Sequence, residues 1–201
     1  MMFDLSSAGP DAIHAIAYSR AGAPLRRAIA LLQYRVAPDA GPPPGDTIPP
    51  EHDPLLEAMS FYLVADGRLV SYAAVVHQQI AHGGDSLRLA GLSCVATDPD
   101  YQRRGLGART VAAATRCIAH SDADIGIFTC DPPLAAFYAR AGGWPAAPDV
   151  LLIGSRHTGA LTSAALGKVV LMRLLSAKAQ AMAAALHQTT IDLDLPVGQF
   201  W

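Results

Sequence analysis

Apolar residues recur every three or four positions between residues 24 and 35, where Leu25, Ile29 and Leu32 fall on one helical face. Pro24 opens this segment, and proline is favoured in the first turn of a helix because its missing N–H has no helical partner there. The pattern predicts an amphipathic helix whose apolar face packs on a core.

The next apolar runs are rich in β-branched and aromatic residues, as strands are. Asp66-Gly67 joins the first two runs and Gly83-Gly84 precedes the third. These dipeptides are typical of two-residue hairpin turns, which need left-handed backbone angles. Three antiparallel strands in a meander are predicted, over residues 61–65, 69–76 and 87–97.

After this meander, helical and strand patterns alternate along the chain. The predicted helices cover residues 105–119 and 132–141 and begin again at 176, and the predicted strands cover 125–129 and 168–174. Strand, helix and strand in succession indicate a crossover connection, so a mixed sheet is expected. A chain of 201 residues buries one core of ordinary size, so one α+β domain spanning residues 1–201 is expected.

Composition narrows the classes of function. Hydrophobic residues make up 51% of the chain, charged residues 16%, and the formal net charge is −2, so no nucleic-acid partner is indicated. The first residues lack a signal-peptide pattern, and the apolar stretch 179–186 is much shorter than a membrane span. Cys94, Cys117 and Cys130 show no metal-binding or disulfide spacing. A cytoplasmic protein without a metal or a membrane partner is expected.

A glycine-containing loop follows the third predicted strand. Gly105 and Gly107 allow main-chain amides to approach a ligand, and the helix that begins there adds N–H donors and a dipole that favours anions. Arg103 and Arg104 add positive charge. The pattern suits a pyrophosphate site. The alternative is a simple tight turn at the start of a helix, which has the same pattern and binds no ligand. The loop residues are Gln102, Arg103, Arg104, Gly105, Leu106, Gly107 and Ala108.

The phrase VATDPDYQRRGLG, which spans this strand, loop and helix, resembles the acetyl-CoA signature of the GNAT superfamily of N-acetyltransferases. The resemblance implies a splayed, mostly antiparallel sheet of six or seven strands flanked by helices. It implies that acetyl-CoA lies between the strand ending at Thr97 and the strand ending at Thr129. Main-chain groups of loop 102–108 would hold the pyrophosphate. Main-chain groups of Val95, Ala96 and Thr97 would hold the pantetheine arm and the thioester carbonyl.

A second phrase, residues 134–144, has Phe137 and Tyr138 followed by glycines and a tryptophan, and it is similar to another motif of that superfamily. This resemblance implies that the Tyr138 hydroxyl protonates the departing thiolate while the Val95 amide polarises the carbonyl. A phenol with an ordinary pKa of about 10 is able to donate a proton to a thiolate. A helical tyrosine that only packs against the sheet is the alternative.

Most of the chain, including its ending GQFW, is similar to aminoglycoside 2′-N-acetyltransferases. The resemblance implies that Trp201 and its carboxylate help to line a sugar site. The alternative is a C-terminal aromatic residue that only fills the core, which would give the same sequence. Typical members have a glutamate where this chain has Ser93, and aspartates where it has Ala165 and Gln199. An aliphatic hydroxyl such as that of Ser93 is no base near neutral pH.

The absence of these acidic residues affects how the acceptor amine loses its proton and which acceptor fits. The amine is either partly neutral before it binds, or it gives its proton to water, Asp192, Asp194 or the Trp201 carboxylate. Fewer acids suit an acceptor with fewer positive charges, and kasugamycin, a small aminoglycoside, fits better than gentamicin or tobramycin. Two other readings stay open: an acetyltransferase for another amine, such as a polyamine, an amino acid or a protein N-terminus, and a non-catalytic module that binds acetyl-CoA.

Residues 37–54 contain seven prolines and two glycines and are predicted to form a long irregular loop of the kind that often serves function. Glu51 and Asp53 near its end either meet the substrate or form a solvated charge cluster with His52. Cys94 has no base beside it in the sequence, so direct transfer is expected rather than an acetyl-cysteine route. The expected substrate contacts are Ser93, Cys94, Thr129, Glu51, Asp53 and Trp201.

GNAT proteins often form homodimers. The tail helix over residues 179–186 is either such an interface or a cover for the core.

Overall fold

The structure is a computed structural model that describes residues 12–41, 43–45 and 47–201. The first eleven residues, on which the expectation of no signal peptide rests, lie outside the described residues, as do positions 42 and 46 of the proline-rich loop. The strands are β1 (His14–Ala17), β2 (Met59–Ala65), β3 (Arg68–His82), β4 (Asp85–Thr97), β5 (Ile125–Cys130), β6 (Val150–Ile153), β7 (Val169–Leu174) and β8 (Thr189–Asp192). The helices are α1 (Ala23–Val36), α2 (Leu106–Ala119), α3 (Ala135–Gly142), α4 (Ala177–Ala181) and α5 (Ala183–Leu186).

Six strands form one sheet in the order β1-β2-β3-β4-β5-β7. The pairs β1–β2, β2–β3 and β5–β7 are antiparallel, and β4 and β5 are parallel. The mixed, mostly antiparallel sheet predicted from the sequence is therefore confirmed. A second sheet, made of the parallel strands β6 and β8, was not predicted.

The described residues divide into two compact units. The first comprises residues up to Val76 together with Ser93–Ala114, and the second comprises His77–Leu92 and Thr115–Trp201.

In the first unit, α1 and the β2–β3 hairpin match the sequence patterns. Leu25, Ile29 and Leu32 are the buried residues of α1, as their spacing predicts. Asp66 and Gly67 have φ angles of 51° and 69°, so both central residues of the turn are left-handed. This is the geometry of a type I′ turn, whose twist matches that of the strands it joins.

In the second unit, two glycines allow neighbouring elements to approach closely. The parallel ladder between β4 and β5 pairs Leu89 with Ile125 and Ala90 with Gly126. A Cβ on Gly91 would collide with the carbonyl oxygen of Ile127, and one on Gly126 would lie 2.9 Å from the Trp144 ring. Larger residues at 91 and 126 would push these elements apart.

Several elements differ from the predictions. β3 continues to His82, whereas the predicted strand ends at Val76, so His77 lies within the strand. The predicted tail helix is two short helices, separated at Met182. Its apolar residues Ala179 and Leu186 are fully buried within this chain, which favours a cover for the core over an interface. None of the described helices has the length and apolar character that crossing a membrane requires.

Candidate active site

The last part of β4 departs from regular strand geometry. Cys94 has a φ of +52°, which is uncommon for a residue with a side chain and is typical of a bulge or a functional constraint. Gln33 of α1 holds this residue in place, because its Nε2 donates to the Cys94 carbonyl oxygen at 2.7 Å. Ser93, Cys94 and Val95 are half-buried.

Asp98 anchors the end of β4. Its carboxylate, only 2% exposed, accepts hydrogen bonds from Arg35 at 2.9 and 3.0 Å and from Arg68 at 2.9 Å. It also accepts from the main-chain N–H of Asp100 at 3.0 Å. Burial alone would raise the pKa of Asp98, but these hydrogen bonds and the two positive charges together hold it below the usual range. The ionised carboxylate thus ties α1 and β3 to the start of the loop before α2.

The loop predicted to bind pyrophosphate has two left-handed residues, Arg103 with φ 60° and Gly105 with φ 78°. α2 begins directly afterwards at Leu106, and the amides of a first helical turn have no partner within the helix. A Cβ on Gly105 would meet no atom within 4 Å, so space is open on that side. A left-handed turn that leads into a helix N-terminus, beside the exposed Arg103, fits a pyrophosphate.

Hydrogen bonds among hydroxyl groups stabilise the two ends of this loop. Thr110 of α2 donates to the Ser71 hydroxyl at 2.9 Å, and the hydroxyl groups of Ser71 and Thr97 lie 3.2 Å apart. Gln102 Nε2 donates to the Thr97 carbonyl oxygen at 3.2 Å. Arg104 braces the same loop, with its guanidinium bonded to the Asp100 carbonyl oxygen at 2.9 Å. The loop is therefore positioned by the protein's own contacts.

The proline-rich loop brings Glu51 to Cys94. The Cys94 thiol donates to Glu51 Oε1 at 3.3 Å, and the Ser93 hydroxyl lies 3.5 Å from the same sulfur. Burial first, and then the charge of Glu51, raises the pKa of the Cys94 thiol to about 12. The thiol stays protonated at neutral pH, which argues against an acetyl-cysteine route because the thiolate is the nucleophile.

His52 is buried, with 5% of its surface exposed, which corrects the reading of residues 51–53 as a solvated cluster. Its Nε2 lies 2.8 Å from the Tyr72 hydroxyl, which is also 2.9 Å from the Ser60 hydroxyl. Burial lowers the pKa of His52 to about 4, so the imidazole is neutral at pH 7. Asp53 accepts a hydrogen bond from the Leu55 amide at 2.9 Å and so caps the next turn.

In the second unit, Tyr138 lies on the buried face of α3. Its ring makes edge contacts with Phe128 and Phe137, with centroids 5.0 and 5.1 Å away. Burial, followed by the neighbouring Cys130 and Asp131, raises the pKa of Tyr138. The hydroxyl is therefore protonated at neutral pH, which is the state that a general acid requires.

Thr129 and Trp201 are in contact. The Thr129 hydroxyl donates to the main-chain oxygen of Trp201 at 3.0 Å, and the indole is buried. Among the described residues, no acceptor pairs with the buried Trp201 Nε1. Asp192, one of the expected proton acceptors, is instead paired with Arg156 at 3.1 Å.

Sequence reasoning missed the residues that hold the site. Arg35, Arg68 and Gln33 reach β4 from other elements, and Arg35 is 63 positions from Asp98. Nothing in the local pattern around α1 indicates these partners. An acidic residue directly after an apolar strand was the one available signal.

The family described as "Acetyltransferase (GNAT) domain" matches residues 27–145. No curated protein matches the sequence closely enough to be called a relative.

Solved structures of GNAT enzymes have the same fold. An acyl-CoA N-acyltransferase from Pseudomonas aeruginosa is 15% identical with a TM-score of 0.54, over 81% of this chain and 98% of that chain. A GNAT family N-acetyltransferase from Escherichia coli, in complex with CoA, is 16% identical with a TM-score of 0.54, over 92% and 93%. The ribosomal-protein-S18-alanine N-acetyltransferase from Escherichia coli is 16% identical with a TM-score of 0.51, over 82% and 95%.

Replacement of the buried carboxylate should weaken the fold. We expect Asp98→Asn to lower the free energy of unfolding by about 2 to 3 kcal/mol, because charge-assisted hydrogen bonds from Arg35 and Arg68 are lost. Asp100→Asn removes an exposed partner of the same arginine and should change it by less than about 1 kcal/mol. Urea denaturation measures both variants, and equal effects would contradict the anchoring role of Asp98.

His52 should make stability depend on pH. In the unfolded chain its pKa is about 6.5, whereas in the folded chain it is about 4, so only the unfolded state binds the proton between these values. Its contribution is fully present above pH 6.5 and falls by about 3 kcal/mol as the pH drops to 4. His52→Gln should remove this part of the pH dependence in urea denaturation between pH 7 and 4. An unchanged pH dependence in the variant would contradict a neutral, buried His52.

Proposed function

Since the chain belongs to the GNAT family of acetyltransferases, we propose that it acetylates the 2′-amine of an aminoglycoside, with kasugamycin as the preferred acceptor, and thereby confers resistance. Membership of this family supports N-acetyl transfer from acetyl-CoA. The observation that supports acetyl-CoA as the cosubstrate is the loop of left-handed residues that leads into α2, which fits its pyrophosphate.

Acetyl-CoA supplies an acetyl group activated as a thioester. In the proposal, the amides of residues 102–108 hold its pyrophosphate, and main-chain groups of Val95, Ala96 and Thr97 hold the pantetheine arm. The Val95 N–H donates to the thioester carbonyl and stabilises the negative charge that develops there. The half-buried Val95 beside the displaced backbone of Cys94 supports this assignment.

Tyr138 is the proposed general acid. The phenol is protonated at neutral pH, so it has a proton to give to the departing thiolate, although burial raises its pKa and makes it a weaker acid than an exposed tyrosine. The ring contacts with Phe128 and Phe137 fix its orientation. Cys94 takes no covalent part, because its thiol is protonated at neutral pH.

The proposed acceptor is an amino sugar of low positive charge. Ser93 offers no carboxylate where aminoglycoside 2′-N-acetyltransferases typically have one. The buried Trp201 Nε1, which lacks an acceptor among the described residues, is suited to a sugar oxygen beside Thr129. A homodimer would use a surface other than Ala179 and Leu186, because both are buried within the chain.

A panel of amines tests the acceptor. Purified protein with acetyl-CoA should release thiol with kasugamycin at a higher kcat/KM than with tobramycin, spermidine or a peptide with a free N-terminus. Faster acetylation of tobramycin would contradict the assignment to kasugamycin. Faster acetylation of spermidine or the peptide would favour another GNAT acceptor class. Binding of acetyl-CoA without turnover of any amine would identify a binding module.

Two single variants test the chemistry. Tyr138→Phe should lower kcat by about 100-fold or more, since it removes the proposed acid and keeps the ring. Tyr62→Phe, which removes the hydroxyl of another buried tyrosine, is the matched control and should change kcat little. Cys94→Ala should lower kcat by less than about tenfold under direct transfer. Loss of turnover in Cys94→Ala with retention in Tyr138→Phe would refute the direct mechanism.

A further inference from the structure

We propose that Glu51 is the proton acceptor for the attacking amine, an inference that rests on the proposed acetyl transfer. Its carboxylate belongs to the loop before β2, yet it contacts Cys94 of β4, directly before Val95. If the Val95 N–H binds the thioester carbonyl, the Glu51 carboxylate lies close to the point where the amine must attack. No other carboxylate is as close to Cys94 Sγ among the contacts of the described residues.

Two contacts fix the position of Glu51. Its main-chain N–H donates to the Tyr18 hydroxyl at 2.9 Å, and its Oε1 accepts from the Cys94 thiol at 3.3 Å. The next residue, His52, is buried and lies 2.8 Å from the Tyr72 hydroxyl. The carboxylate is therefore held from its own loop and from β4, as a proton acceptor must be to reach its donor.

The groups around Glu51 are uncharged at neutral pH. Burial raises the pKa of the Cys94 thiol and of Tyr72, so both keep their protons. Burial also lowers the pKa of His52 to about 4, so this imidazole carries no charge. In the described part of the chain, the contacts of Glu51 are a thiol and a tyrosine hydroxyl rather than an arginine or a lysine. An incoming ammonium group would therefore be the cation that pairs with Glu51.

The proton balance closes with this assignment. The acceptor arrives as an ammonium ion and gives one proton to the Glu51 carboxylate, which later releases it to solvent. The neutral nitrogen attacks the thioester carbon, so the C–N bond forms and the C–S bond breaks. Tyr138 gives its proton to the sulfur, and the second proton of the nitrogen returns through solvent to the tyrosine. One acetamide, one thiol and one proton result.

The test compares Glu51→Gln with wild type from pH 6.5 to 9.5, with the acceptor that wild type acetylates fastest in the panel. At pH 7 we expect kcat/KM of the variant to fall by about 100-fold or more. The deficit should shrink as the pH rises, because the free amine loses its proton to water and no longer needs the carboxylate. Glu57→Gln makes the same change on an exposed residue of the same segment and should stay within about twofold of wild type at every pH.

The outcomes separate this role from others. A deficit of the same size at every pH would overturn the proposal, because loss of positioning or of packing does not depend on the protonation of the amine. Wild-type activity in Glu51→Gln would overturn it while leaving acetyl transfer intact. Absence of turnover by wild type with every amine would refute the proposed function and this role together. If Glu51→Gln does not fold, Glu51→Asp keeps the carboxylate and should retain turnover at pH 7, and a deficit of the same size at every pH in this variant would overturn the proposal.

Discussion

The carboxylate of Asp98 fixes the geometry at the start of loop 102–108, the proposed pyrophosphate site. It is almost fully buried, and a buried charge persists only when its partners offset the loss of hydration. Arg35 from α1, Arg68 from β3 and the amide of Asp100 supply that compensation. Because loss of one of these partners would leave a buried charge poorly compensated, the ion pairs stabilise the observed placement of α1, β3 and the start of the loop. The left-handed turn into α2 begins from this fixed point.

The left-handed backbone at Cys94 is the second constraint, and the proposed mechanism gives it a chemical use. A left-handed residue within a strand is strained and persists only when its surroundings hold it. Gln33 does so from α1 by donating to the Cys94 carbonyl oxygen. The displacement leaves Val95 half-buried and brings the Cys94 thiol to Glu51. In the proposed mechanism, this one local distortion would thus position both the main-chain donor of Val95 and the side-chain acceptor of Glu51.

Local patterns predicted most of the fold, because they depend on neighbours in sequence. Leu25 and its helical partners placed α1, and the left-handed turn at Asp66 and Gly67 followed from residue preference alone. The four-residue strands β1, β6 and β8 were missed, since so short a run is no pattern without its partner strand. Loop 102–108 is contiguous in sequence, so the helix that follows it was predicted, and its binding of the cosubstrate stays a prediction. The contact between Glu51 and Cys94 spans 43 positions across a proline-rich segment, and no local rule reaches that far.

The position of the only carboxylate in contact with Cys94, among the described residues, has a consequence for specificity. Ser93 belongs to β4, an inner strand of the sheet, so packing within the sheet limits which residues can replace it. Glu51 comes from a loop, whose length and sequence vary at little expense to the core. The contact between the buried His52 and Tyr72 holds the loop next to Glu51. Substitutions elsewhere in residues 37–54 should therefore leave the Glu51 carboxylate in place. In the proposed mechanism, proton acceptance and acceptor choice would therefore belong to the same loop but to separable parts of it.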